Sequence, residues 1–230
     1  MSVCERLRGG LVVSVQPVDD GPMDTTEIIV AMAMAAVEGG AAGLRIQGAN
    51  NVAAVRKRVD VPVIGIVKRE FESSPVRITP TLEDATALIE AGADIVAVDM
   101  TLREREEPLM PIVRHILNAG VVLMGDCSTP EDGEQAIGHG ASIIGTTLSG
   151  YTTETATHDQ APDISLIRCY RQLMGQSGFV MAEGRFNTPE LSASAMNAGA
   201  DCVTVGSAIT RLEHVTQWFS HSIKRDQISV

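Results

Sequence analysis

Five times along this chain a helix-compatible stretch stops at Gly or Ala-Gly and an apolar run follows at once. The corners read GGAAGLRI from Gly39, AGADIVAVD from Ala91, NAGVVLMGD from Asn118, HGASIIGTT from His139 and NAGADCVTVG from Asn197. Glycine takes the left-handed backbone at a helix C-cap at little cost, and the short apolar run behind it reads as a buried strand. LVVSVQ from Leu11, VPVIGIVK from Val61 and GFVMAEG from Gly178 are three further strands of the same kind, which makes eight. Helix starts lie between them. Thr25, Thr81, Thr129 and Thr188 each stand before an acidic first turn, with Pro130 and Pro189 at two of the starts, and this combination satisfies free amides and the positive helix end.

Eight βα units in 230 residues predict one closed α/β domain over residues 1–230, a single (β/α)8 TIM barrel. An open doubly wound sheet is the alternative, but no GxGxxG follows the first strand. The polar stretch from Gly150 to Asp163 reads as a long loop or lid on the functional face.

Composition agrees with this architecture. Apolar residues make up 44% of the chain and aromatics 3%, so Val, Ile, Leu, Ala and Met must fill the core, as in parallel strands covered on both faces. A net charge of -11 opposes binding to nucleic acid or to an acidic membrane surface. No stretch has the ~18 apolar residues of a membrane span and the N-terminus has no signal region, which predicts a cytoplasmic protein. The four cysteines show no metal or redox spacing.

Catalytic groups of such barrels sit where strands leave the sheet at their C-terminal ends. That position holds Gln16, Arg45, Lys68, Asp99, Asp126, Thr146 with Thr147, Glu183, and Gly206 with Ser207. Each charge has a bland alternative, that it marks where the chain meets water. Arg45 and Asp126 have the further alternative of an ion pair closing the rim. Lys68 carries the functional reading best, because VIGIVKRE runs straight out of the core. Cys127 reads as a packed small side chain, since no His lies at a neighbouring strand end to activate it. The histidines fall on helices or in the polar loop, so no metal site is expected. Gly184 with Arg185, and Gly206 with Ser207, lie at the last two strand ends before helix starts and read as a phosphate site; two tight glycine turns are the alternative.

The motifs GGLVVSVQPV, VIGIVKRE, SPVRITPT, CSTPEDG, IIGTTLSGYT, AEGRFNTPE and VGSAITR occur in this order from about Gly10 to Trp218. In them the chain resembles the N-acetylmannosamine-6-phosphate 2-epimerases of bacterial sialic acid catabolism. The resemblance implies proton transfer at C2 of a sugar phosphate, giving N-acetylglucosamine 6-phosphate without a cofactor. It implies Lys68 and Glu183 as the catalytic pair, and Gln16, Arg45, Asp126 and Arg211 as residues that hold sugar and phosphate. Thr147 and Tyr151, within IIGTTLSGYT, join the substrate-binding group. DMTLREREEP departs from the family pattern after Asp99, which leaves Asp99, Arg103 and Arg105 without an implied role.

Lys68 is a base only when neutral, and reaching a pKa of about 7 from 10.4 takes roughly 4–5 kcal/mol against its charged form. Burial and the nearby Arg45 both push that way. The rivals are a Schiff-base sugar-phosphate aldolase using the same lysine and a non-catalytic sugar-phosphate-binding barrel. The C-terminal segment ITRLEHVTQWFSHSI is either a homodimer surface or a last helix packed on its own barrel.

Overall fold

The computed structural model describes residues 1–157 and 161–226, so His158 and part of the loop after the sixth strand lie outside the described residues. Eight parallel strands close into one barrel in chain order: β1 Leu11–Val15, β2 Gly43–Gln47, β3 Val63–Ile66, β4 Ile95–Asp99, β5 Val122–Asp126, β6 Ile143–Gly145, β7 Phe179–Glu183 and β8 Cys202–Val205. α1 (Val3–Leu7) precedes the barrel. α2 (Thr26–Glu38), α3 (Ala49–Arg56), α4 (Leu82–Glu90), α5 (Leu109–Asn118), α6 (Pro130–Gly138), α7 (Ile164–Met174) and α8 (Pro189–Asn197) alternate with the strands. A four-residue α9 (Ser207–Thr210) and α10 (Leu212–Asp226) follow β8.

The five glycine corners share one geometry. Gly40, Gly92, Gly120, Gly140 and Gly199 all have positive φ, and the next residue donates its N–H to the carbonyl five positions back, as Ala41 does to Ala36. That bond satisfies an orphan helix carbonyl and turns the chain down into the strand. The four threonine starts cap as the sequence predicts: Thr25, Thr81, Thr129 and Thr188 accept from the amides of Ile28, Asp84, Asp132 and Leu191.

Along each strand, side chains alternate between the barrel interior and the helical layer. Val13, Leu44, Ile46, Val96, Val98, Val180 and Val203 face the helices, in a core completed by Val52, Leu88, Ile112 and Ile167. Val12, Ile64, Ile95, Met124, Ile143, Phe179 and Met181 fill the interior, and Leu7 of α1 closes the bottom. The inward parity then continues to Gln16, Lys68, Asp99, Asp126 and Glu183 at the mouth. These apolar groups pack the lower interior, and the mouth lies above them at the C-terminal end of the strands.

Arg45 departs from the strand-end expectation. It is the middle residue of β2, in register with Ser14 and Ile64, and is 1% exposed. The apolar run does not stop at the arginine but continues through Ile46, so its long side chain starts inside the barrel and rises toward the mouth.

Candidate active site

A cavity of about 690 Å³ opens at the C-terminal end of the strands. Its floor is Ser14, Arg45 and Thr204, and its walls carry Lys68 and Glu183. Gln16, Thr147, Tyr151, Gly184, Arg185, Gly206, Ser207 and Arg211 also border it. Of the residues expected from sequence, Asp126 and Thr146 do not. Asp126 is fully buried beneath the cavity and holds Arg45 in a two-pronged ion pair, Nη1 to Oδ1 3.2 Å and Nη2 to Oδ2 2.7 Å. The Thr147 hydroxyl donates to the same Oδ1 at 2.6 Å. Asp126 is thereby occupied by protein donors, and its influence reaches the cavity through Arg45.

Arg45 Nη1 also stands 3.4 Å from Glu183 Oε2, so two carboxylates share one guanidinium. Burial opposes the charge on Arg45, but Asp126 and Glu183 outweigh it and raise its pKa. Glu183 is the junior partner. Burial pushes its carboxyl up to about 7, with Asp126 adding to the rise and Arg45, Thr147 and Lys68 opposing it. The Thr146 hydroxyl donates to the Glu183 carbonyl and accepts from its amide, which fixes the end of β7.

Lys68 moves the other way. Burial lowers its ammonium to about 8; Asp19 opposes the shift, and Arg211, Arg45 and Arg77 add to it. This is a smaller displacement than a base at pH 7 was expected to need, and the Asp19 carboxylate is the group that opposes it.

The last two strand ends supply small residues and cations. Gly184 has φ +105°, with no atom closer than 3.7 Å to where a Cβ would stand. Gly206 precedes α9, whose first residue is Ser207. Arg211 is tethered by Nε to the carbonyl of Gln16 at 3.0 Å, and Thr210 donates to the carbonyl of Ser14, so β8 and β1 are strapped together at the rim. Arg185 is turned toward the loop after β6: it donates to the carbonyls of Ser149 and Ala161 and lies over the Tyr151 ring at 5.4 Å. Any Cβ at Gly150 would overlap that guanidinium.

Cys127 is fully buried, and its thiol is pushed up by burial, which leaves it protonated. Among the described residues no group of His, Cys, Asp and Glu is arranged to hold a metal ion.

Sequence reasoning missed several lining residues. Asp19 comes from the loop after β1, Arg77 from the loop after β3, and Asn187 from the loop after β7. His214 and Trp218 reach the cavity from α10, so a histidine on a helix does border the site. The only signal available was an unassigned Arg77 inside SPVRITPT and the histidine and tryptophan that follow VGSAITR. Arg103 and Arg105 find their partner in Asp99. Arg103 Nη2 donates to its Oδ2 at 2.7 Å and Arg105 Nη2 to its carbonyl at 2.7 Å, so the run that departs from the family pattern folds back on its own strand end.

Comparison with known proteins identifies the family. A family model described as "Putative N-acetylmannosamine-6-phosphate epimerase" matches residues 29–225. A protein of Aliivibrio fischeri named as such a 2-epimerase is 56% identical over 218 residues, 95% of this chain and 91% of its own. One of the same name from Haemophilus influenzae is 51% identical over 222 residues, 96% and 95% of the two chains. The solved structure of the N-acetylmannosamine-6-phosphate 2-epimerase from Clostridium perfringens superposes with a TM-score of 0.91 at 34% identity, covering 96% of each chain. Thiamine phosphate pyrophosphorylase from Pyrococcus furiosus, at TM-score 0.62 and 16% identity, shares the fold alone. On the extent of the family match and the identity of these relatives, the chain belongs to the N-acetylmannosamine-6-phosphate epimerase family.

Proposed function

We propose that this barrel interconverts N-acetylmannosamine 6-phosphate and N-acetylglucosamine 6-phosphate by removing and returning the proton at C2, with Lys68 and Glu183 as the acid/base pair. The observation that carries the reading is that a lysine lowered to about 8 and a glutamate raised to about 7 face one cavity over a buried arginine. Each is close enough to neutral pH to give and take a proton during turnover.

In the open-chain sugar, C2 adjoins the C1 aldehyde, so its proton is weakly acidic and its loss leaves an enolate. One member of the pair removes that proton and the other returns one to the opposite face or assists ring opening. The Arg45 guanidinium, held by Asp126, presents fixed positive charge to the enolate oxygen, and Gln16 adds a donor. Because Asp126 is occupied by Arg45 and Thr147, its part is to aim the arginine. The substrate's own carbonyl is the electron sink, so the chemistry requires no cofactor. The 6-phosphate lies against Gly184, Gly206, Ser207 and Arg211, with Arg185 behind it and Thr147 and Tyr151 on the flank.

The same reading carries a place in sialic acid and amino-sugar catabolism and in the cytoplasm, since a doubly charged sugar phosphate does not cross a bilayer unaided. No helix among the described residues is long and apolar enough to cross a membrane. A homodimer through α10 belongs to the proposal too. Leu212, Phe219 and Ile223 stand 62%, 68% and 61% exposed on that helix, an apolar stripe for which a second copy is the self-complementary partner.

The test of the reaction class is product formed in deuterium oxide with EDTA present. Deuterium at C2 is expected. Release of two fragments, or a borohydride-trapped adduct on Lys68, would replace epimerisation with Schiff-base cleavage.

A further inference from the structure

The barrel wall is weakest beside Lys68. β4 and β5 stay in register over five residue pairs, whereas β3 and β4 pair only through Ile64 with Ile95 and Gly65 with Val96. Above that point the two strands part, and residues Arg77 to Thr79 enter the gap. On the β3 side Lys68 bridges Ile78, the Arg69 amide donates to the Arg77 carbonyl, and Thr79 and Val67 bond through the Thr79 amide. On the β4 side the Asp99 amide donates to the Ile78 carbonyl.

Thr79 joins the two sides. Its hydroxyl donates to the Ala97 carbonyl of β4 at 2.7 Å and accepts from the Val67 amide next to Lys68 at 3.3 Å. It is fully buried, and its backbone sits at φ +46°. A β-branched residue is costly in that region, and Pro80 behind it narrows the residue before it further toward extended backbone. Such strain persists only where the surroundings over-determine it, and here a donor just past β3 and an acceptor on β4 do so.

We propose that Thr79 is a positioning residue for Lys68: through its hydroxyl it latches the segment Arg77–Thr79 between β3 and β4 and so sets the direction in which the lysine enters the cavity. The inference rests on the acid/base reading of Lys68, and the same segment delivers Arg77 to the cavity wall. The charged groups around the lysine come from four other places, namely Asp19 after β1, Arg45 on β2, Glu183 on β7 and Arg211 after α9. With the latch open, Lys68 retains those neighbours in the chain but turns toward water.

The chain has only three lysines, Lys57, Lys68 and Lys224, so a protein labelled with carbon-13 lysine yields three Cε signals whose pH titrations are separable. Lys68→Arg assigns the one of interest. Thr79→Val keeps the shape and the β-branch and removes only the hydroxyl. The expected result is a Lys68 midpoint raised by about one unit from its value near 8, as desolvation is relieved. Turnover should fall about tenfold, since a shift near 1 Å in a reacting group is enough for that, while KM stays within about twofold. Thr79→Ser, which retains the hydroxyl, should restore both. If Thr79→Val does not fold, Thr79→Ala removes the same hydroxyl and also sheds the strained branch. A folded hydroxyl-less variant with an unmoved Lys68 titration overturns the positioning role, whatever its rate. A moved titration with unchanged turnover would leave the latch standing and overturn Lys68 as the acid/base group.

Discussion

At the bottom of the barrel Asp201 accepts from Arg8, Arg171 and the Val180 amide, and Arg171 spends its remaining donors on the carbonyls of Gly199 and Gly175. At the mouth the accounts are left open. Lys68 has no ion-pair partner among the described residues, Glu183 shares Arg45 with Asp126, and the buried Arg45 Nε and Thr204 Oγ1 have no hydrogen-bond partner. Burying polar atoms unpaired costs free energy, so the mouth is less stable than the same fold could make it. The difference separates the end that holds the barrel closed from the end that holds groups ready to exchange protons and meet a ligand.

The sharpest way to break this division is to remove a group from each end. Lys68→Ala should lower turnover by at least about two orders of magnitude while circular dichroism and melting stay native-like, because the residue lies above the packed interior. Glu183→Gln should match it. A soluble Lys68→Ala protein with a near-normal rate would end the acid/base assignment. Asp201→Ala should do the reverse. Stranding Arg171 and the Val180 amide should destabilise the fold by about 3 kcal/mol in urea titrations. The folded fraction should keep its kcat and KM, and a selective loss of turnover would show that the bottom network reaches the site.

Within the mouth, Arg211→Ala should raise KM about tenfold with kcat little changed, because the phosphate is bound alike in ground and transition states. A mutant that lost turnover alone would move Arg211 into the chemistry. The pair Lys68 and Glu183 should give a bell-shaped kcat/KM between pH 7 and 8. The one-proton state of the pair is populated between the two values: below about 7 both groups are protonated, and above about 8 neither is. Each pH unit beyond either limb should cost about tenfold. A profile with a single limb from pH 6 to 9 would remove one of the two from the reaction, and a flat one would remove both.

The smallest effect tests the stability side of the comparison. Lys68 is lowered from 10.5 to about 8 in the fold, so between these values the unfolded chain binds more protons, and holding the lysine charged below 8 works against folding. Lys68→Met should therefore raise the melting temperature at pH 7 by roughly 2–4 °C, corresponding to about 1 kcal/mol once solvent screening is allowed for. The gain should shrink as pH rises toward 10.5. Equal melting points at pH 7 would mean that the ammonium is as well solvated in the barrel as in the open chain.

Local chemistry was the part of this protein written in single stretches of sequence. A glycine just after a helix, a threonine before one and an unbroken apolar run between them each act within about six residues, so eight strands, five glycine corners and four capped starts were legible from the chain alone. The position just after each apolar run likewise placed Gln16, Lys68, Asp99 and Glu183 at one end of the barrel. Distance along the chain set the limit of that reading. Arg45 was taken for a strand end because nothing in LRIQ says how far β2 continues, and its ion pair with Asp126 stood in the sequence only as an alternative to a ligand role, because the closed barrel alone brings the two together from 81 residues apart. His214 and Trp218 enter the cavity from α10, which packs against α9, and no periodicity within α10 announces that direction. The wedge at Thr79 is the plainest case. Nothing in SPVRITPT singles out Thr79, and the strained backbone at φ +46° is held because the Val67 amide just past β3 and the Ala97 carbonyl on β4 bond to the same hydroxyl. Sequence determined which elements form and which side chains face inward, through interactions that close within a few residues; the tertiary structure decided which charges share a partner and which are left free, because burial and pairing depend on groups that meet only when the barrel closes.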